Sequence, residues 1–318
     1  MNDFRSDLVT SERRGGDYYL APAQQLYEWL LAPIEAELTA ANIDTLVFAM
    51  DEGLRTLPVA ALHDGESFLA EKYSLGMVPS LGMLNAQYAS LEDAQVLAMG
   101  ISDFDQHERL APLPGVPLEV DAINQIWPGA DFLNAQFTRQ SLVSERQQVP
   151  YNVIHLATHA EFNPGNIDTS FVQLWDEKLL LSDLPQLGWQ SPAVDLLVLS
   201  ACNTALGSPE AEMGFAGLAI ASGARSAMAS LWSVSDIGTL ALMNEFYAQL
   251  RTAPTKAAAL QQAQQALLQG NIRTESGQLV GSETGRIFAL PPGLDAPLSN
   301  DFSHPYYWSS FTMIGNPW

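Results

Sequence analysis

Three short stretches constrain this chain more than any other feature: "TLVFAMD" at residues 45–51, "NVIHLAT" at 152–158 and "DLLVLSA" at 195–201. Each is a continuous apolar run of strand length that breaks into polar and small residues. A strand with one wet face alternates apolar and polar residues. A run without alternation needs cover on both faces, as parallel strands layered between helices have. "AQVLAMGIS" (94–102), "RSAMASLW" (225–232) and "FLAEKYSLGMVPS" (68–80) read the same way. Helical patterns separate these runs, so the expectation is a mostly parallel, three-layer α/β fold. With 318 residues, 47% of them hydrophobic, the chain has the material to cover such a sheet.

The opening to Gly16 is polar and reads as frayed. Residues 20–42 carry apolar positions at helical spacing, with Pro33 expected to kink or split the helix. The run at 45–51 reads as a strand buried on both faces. Pro112, Pro114 and Pro117 make a loop or linker, followed by a helix from about Leu118 to Trp127. Residues 171–181 read as a hairpin turning near Asp176 and Glu177. "MGFAGLAIASGA" reads as a small-residue helix, and two more helices follow over roughly 236–251 and 255–269. Residues 271–300 read as a turn-rich surface excursion, and "HPYYWSSFTMIGNPW" as an aromatic segment docked on the sheet. "IDTLVFAMDEG" resembles the two later runs, which suggests two related α/β units sharing one continuous sheet. The seam falls near the prolines, giving residues 1–117 and 118–318 as the units.

Acids outnumber bases 36 to 14, for a net charge of −22. Such a surface repels phosphate backbones and anionic lipid, so neither nucleic acid nor a membrane surface is expected as a partner; basic proteins or peptides suit it better. A single cysteine forms no internal disulfide, in keeping with a reducing compartment. The first residues show no apolar signal region and no stretch reaches a membrane-spanning length, so a soluble cytoplasmic protein is expected.

The polar breaks matter because ligands of open α/β sheets bind beyond the carboxyl ends of the strands. His159 and Cys202 sit where two of the runs end. If those strands are adjacent and parallel, about 4.8 Å apart, the two side chains face each other. A His beside a Cys stabilises the thiolate nucleophile and can protonate a leaving amine. Each residue also has an ordinary reading, since lone cysteines are commonly buried small hydrophobes. Position and spacing alone leave both readings open. The H-x-x-x-H spacing of His155 and His159 does not make a zinc site, because four residues along a strand span about 13 Å. His155 reads as a hydrogen-bonded core residue. No phosphate-binding loop, dinucleotide fingerprint or G-x-S-x-G elbow is present, and neither a cofactor nor a metal is expected.

"DEGLRTLPVAALHDGESFLAEKYSLGMVPS", "HLATHAEF", "LVLSACNTALG", "GFAGLAIASGARSAMASLWSVSD" and "HPYYWSSFTMIG", in that order, resemble the CHAT domain. CHAT domains are caspase-like relatives of separase that often follow tetratricopeptide (TPR) repeats. The resemblance covers nearly the whole chain from about Leu20. It implies a caspase–hemoglobinase-like fold, duplicated as an N-terminal pseudo-caspase half and an active C-terminal half. It also implies a cysteine peptidase acting on protein or peptide substrates, with Cys202 as nucleophile and His159 as general acid/base. The backbone N–H groups of Cys202 and Ala160 would hold the oxyanion. Many relatives carry Gly where Ala160 stands. Metacaspases carry an Asp two positions before the Cys, where this chain has Ser200. Charge near the substrate pocket would then come from Glu161, Asp168, Glu210, Glu212 or Asp236, each of which also reads as a solvated loop acid. Trp232 and Ser233 would line the pocket, Trp232 reading equally as core. No 34-residue repeat is visible: either the chain is an excised domain, whose missing segment would supply regulation or substrate docking, or it stands alone, and a TPR region or regulatory protein is the expected regulatory partner. The alternative is a catalytically silent signalling or scaffold module on the same fold.

Overall fold

The computed structural model of the chain describes residues 2–51, 54–84, 88, 90–104, 110–161, 163, 166, 168–200, 217, 219–281, 287–294 and 301–318. Its centre is an eight-stranded sheet built from β1 (Thr45–Phe48), β2 (Ser74–Met77), β3 (Val96–Gly100), β4 (Gly129–Leu133), β5 (Val153–Ala157), β9 (Leu196–Ser200), β10 (Ser226–Ser230) and β14 (Phe311–Gly315). Across the sheet the order is β1-β2-β14-β10-β9-β5-β3-β4. β10, β9, β5, β3 and β4 run parallel to one another, as do β1, β2 and β14. The two blocks meet at a single antiparallel pairing, β10 with β14. β3, from before residue 118, lies between β4 and β5, so the sheet runs across the 117/118 boundary.

Every residue of β3, β5, β9 and β10 is buried, as the unbroken apolar runs require. One face is covered by α5 (Val116–Ile126) and α7 (Asp236–Gln249), whose side chains reach β5. Ile154 and Leu156, pointing to the opposite face, have no exposed surface, so that side is covered too. α5 starts where Gly115, with Pro117 in its first turn, sets up a helix, and stops just before Pro128. α7 is capped by Ser235, which accepts from the N–H of Gly238, and α8 (Lys256–Leu268) by Thr255, which accepts from that of Ala258. Gly100, ending β3, lets α5 approach: a Cβ there would lie 2.4 Å from Val116 Cγ1.

Two small antiparallel sheets complete the strand set. β6 (Ala160–Glu161), β7 (Phe171–Gln173) and β8 (Lys178–Leu180) include the expected hairpin, with Gln173 opposite Lys178. β11 (Arg273–Glu275), β12 (Gln278–Val280) and β13 (Ile287–Ala289) form the other, within a region read from sequence as irregular. Pro33 splits its helix as expected into α2 (Leu20–Leu30), a single 3-10 turn and α3 (Glu35–Ala40). α4 (Leu69–Lys72) leads into β2, and α6 (Arg139–Gln148) into β5.

Three expectations are corrected. β1 is half-buried rather than covered, because it is an edge strand with one neighbour. The closing aromatic segment is part of the sheet: α9 (Pro305–Trp308) packs beside it, but β14 lies between β2 and β10. The polar opening is α1 (Asn2–Arg14), with Phe4, Leu8 and Ser11 buried at helical spacing. Ser11 Oγ lies 3.1 Å from His304 Nε2, and Tyr307 donates its hydroxyl to Glu12 at 2.6 Å. A stripe of three residues is too sparse to stand out against so polar a background. Phe4→Ala should therefore cost about 3–5 kcal/mol and lower the thermal midpoint, whereas Tyr18→Ala, at a side chain 68% exposed, should stay within about 0.5 kcal/mol of the parent. Equal melting curves for the two variants would mean that α1 does not dock.

Candidate active site

β5 and β9 are adjacent and parallel, in a register that sets His155 opposite Val198 and Ala157 opposite Ser200. Both strands therefore end at the same rim of the sheet. His159 follows Ala157 by two residues, and Cys202 follows Ser200 by two; Cys202 lies outside the described residues. The β6-β7-β8 sheet fixes the exit of β5. Gln173 N–H donates to the carbonyl of His159 at 2.8 Å, and Thr158 Oγ1 donates to the carbonyl of Gln173 at 2.8 Å.

His159 is 7% exposed. Its Nε2 lies 2.7 Å from the carbonyl oxygen of Ala111, and the ring of Phe104 packs against it at 4.7 Å. A carbonyl only accepts, so Nε2 carries the proton and Nδ1 carries the lone pair. Nδ1 is buried and has no hydrogen-bond partner among the described residues. Burial pushes the imidazole below its usual 6.5; the bond to Ala111 acts the other way and is the smaller effect. The result is a neutral ring whose basic nitrogen has no partner among the described residues.

The segment that carries Ala111 is fastened at several points. Leu113 N–H donates to the carbonyl of Ser102, whose own N–H donates to Asn134 Oδ1 at 2.9 Å. Gly115 N–H donates to Asp236 Oδ2 at 2.6 Å. Burial raises the Asp236 carboxyl to about 6; the Gly115 bond lowers it and the charge of Glu119 raises it further. Gly115 leaves room for this close approach: a Cβ there would lie 2.8 Å from Asp236 Oδ1, so the carboxylate would have to shift.

Beneath the rim is a buried polar chain. Ser200 Oγ donates to Glu119 Oε1 at 2.6 Å, and the same oxygen lies 3.1 Å from His155 Nε2, off the line of a good hydrogen bond. His155 Nδ1 lies 3.1 Å from the hydroxyl of Tyr247. His155 is thus a fully buried, hydrogen-bonded residue.

The remaining sequence-derived candidates have the following surroundings. Ala160 is buried in β6, opposite Val172. Glu161 is exposed and accepts from Asn163 Nδ2 at 3.3 Å, and Asp168 is exposed on the loop before β7. Trp232, 2% exposed, donates its indole N–H to the carbonyl of Tyr306 at 3.1 Å. Ser233 is exposed, and its carbonyl accepts from the Tyr306 hydroxyl at 2.8 Å. Glu210 and Glu212, like Cys202, lie outside the described residues. Among the described residues, no three of His, Cys, Asp and Glu gather as metal ligands, and no helix is long and apolar enough to cross a membrane.

Sequence reasoning missed Ala111, Phe104, Glu119 and Tyr247. Ala111 acts through its backbone, which leaves no side-chain signature. Glu119 did leave one: it falls among Val116, Val120 and Ile123 on the buried stripe of α5. An acid on a buried stripe calls for a partner.

The CHAT-domain family model matches residues 20–316. Two crystal structures of the Saccharomyces cerevisiae separase–securin complex resemble this fold, with TM-scores of 0.53 and 0.52 at 11% and 10% identity. The likeness covers 86% and 92% of this chain but only 15% and 17% of those chains. No curated protein matches at a significant level.

Because burial depresses His159, the folded chain holds this proton less tightly than the unfolded chain, and His159 costs stability as pH falls below 6.5. Imidazole 15N NMR should show an Nε2–H tautomer at pH 7 and a midpoint below 6.5. An Nδ1–H tautomer, or a raised midpoint, would contradict the geometry.

Proposed function

The chain belongs to the CHAT-domain family, and on that premise we propose that it is a cysteine endopeptidase in which Cys202 is the nucleophile and His159 the general acid and base. The observation that carries this reading is the state of His159: Nε2 is tied to the carbonyl of Ala111, and Nδ1 has no hydrogen-bond partner among the described residues. His155 also has one unbonded nitrogen, but it faces the Glu119 carboxylate within the core, whereas His159 stands two residues beyond the end of β5, at the rim where ligands of such sheets bind. Here one nitrogen is committed to orienting the ring and the other is kept basic, as an acid/base catalyst requires. The adjacency of β5 and β9 supports the same pairing, since His159 and Cys202 each stand two residues beyond a pair of directly opposed positions.

In this mechanism His159 Nδ1 takes the thiol proton and the Cys202 sulfur attacks the scissile carbonyl carbon. The carbonyl oxygen becomes an oxyanion held by the N–H groups of Cys202 and Ala160. The C–N bond then breaks, and His159 returns its proton to the leaving amine, giving a thioester. His159 next deprotonates a water that attacks the thioester, and the acid product leaves as the thiol is restored. The bond to Ala111 holds the imidazolium in each protonated stage, the orienting role an acid residue plays in a serine triad.

Glu161, Asp168, Glu212 and Ser233 are proposed to border the substrate cleft, with Trp232 backing it. With a net charge of −22, protein segments bearing basic residues are the favoured substrates. A repeat region or a regulatory partner is proposed to control access.

Cleavage of a peptide library should vanish in Cys202→Ala and fall about 10²–10⁴-fold in kcat in His159→Ala. Cleavage that persists in Cys202→Ala would refute the nucleophile assignment. Thioester formation without peptide cleavage would point to acyl transfer, and a parent enzyme inert toward both peptides and thiol reagents to a silent scaffold.

A further inference from the structure

We propose that Glu119 is a positioning residue for the Cys202–His159 pair, a single buried carboxylate oxygen that reaches both of the strands leading to them. The inference rests on the dyad reading above. Glu119 is 2% exposed, and its Oε1 accepts from Ser200 Oγ at 2.6 Å and lies 3.1 Å from His155 Nε2. Ser200 is the last residue of β9, two before Cys202; His155 is on β5, four before His159. The register offsets them by two positions, so both side chains leave the sheet on the same face, toward α5. A carboxylate oxygen only accepts, so the Ser200 hydroxyl must donate and its rotor is fixed. Tyr247 holds the far side of the His155 ring at 3.1 Å.

The chemistry argues against packing alone. Burying a carboxylate is costly, and among the described residues no Lys or Arg pairs with Glu119. An apolar side chain would fill the same space on this stripe of α5 without that cost. What an apolar residue cannot do is accept from Ser200 while facing His155 Nε2 at 3.1 Å. α5 also continues directly from the loop that presents Ala111 to His159, and Asp236 fastens the junction at Gly115. One helix therefore carries the acceptor for the end of β9 and directly follows the loop that orients the imidazole. Misplacement of a reacting group by about 1 Å costs on the order of 100-fold in rate.

The test uses the sole cysteine and needs no substrate. The rate of iodoacetamide alkylation of Cys202 is measured against pH for the parent, His159→Ala, Ser200→Ala, Ser200→Thr and Glu119→Gln, with thermal melts alongside. Ser200→Ala should slow alkylation about 10- to 100-fold at pH 7 and move its midpoint up toward that of a free thiol, about 8.5, in a chain that still folds but melts lower because Glu119 loses the Ser200 donor. Ser200→Thr, which keeps the hydroxyl, should recover most of the rate; a merely structural role would give neither the midpoint shift nor the rescue. Glu119→Gln, whose amide oxygen still accepts from Ser200, should keep most of the rate; if it does not fold, the Ser200 pair decides. Parent-like rates and midpoints in folded Ser200→Ala, together with slow His159→Ala, would overturn the positioning role while leaving the dyad intact. Parent-like alkylation in His159→Ala would overturn the dyad, and the positioning role with it.

Discussion

The backbone register between β5 and β9 is the constraint on which the rest of this structure depends. Five consecutive pairs, from Val153 opposite Leu196 to Ala157 opposite Ser200, make the two strands end level. Parallel pairing sends both chains out of the sheet at the same edge, where side chains from separate parts of the sequence can meet. A slip of one residue would turn His155 and Ser200 to the opposite face and away from α5. The apolar content of these strands prevents that slip, because both faces are buried and each side chain fits a particular gap.

Polar chemistry within so apolar a frame has to be compensated locally. The chain has 14 basic residues against 36 acidic ones, and the described site draws on none of the bases. Carboxylates are held there by neutral donors: Glu119 by a serine hydroxyl and Asp236 by a backbone N–H. His159 is oriented by a carbonyl rather than an acid, which leaves it neutral where a nearby carboxylate would have raised its affinity for the proton. The site is thus kept in order by hydrogen-bond direction more than by opposed charge, and direction depends on the backbone being fixed. The ties of Leu113, Gly115 and Gln173 to their partners supply that fixing.

Much of the frame was legible in the sequence because burial on both faces leaves a direct mark, an apolar run without alternation. β3, β5, β9 and β10 were found that way, and α5, α7 and α8 by helical spacing. The misses share a different cause. α1 hides its contacts in three residues among many polar ones. β14 carries aromatic and polar residues together, so its sequence reads as a docked tail, although a parallel strand and an antiparallel one flank it. β1 reads as buried from its composition but sits at the sheet's edge, which composition does not encode.

The sequence by itself determined which residue types end the strands: an imidazole at 159, a thiol at 202 and a hydroxyl at 200, each following an apolar run whose length sets a strand. It determined these because local spacing and burial are properties of contiguous residues. Tertiary structure alone decided that β5 lies against β9, that a carbonyl from a proline-rich loop some fifty residues earlier fixes the His159 tautomer, and that an acid on α5 reaches both strands. Those contacts join segments distant in sequence, two of them through backbone atoms common to every residue, and side-chain identity leaves no record of where a backbone group points.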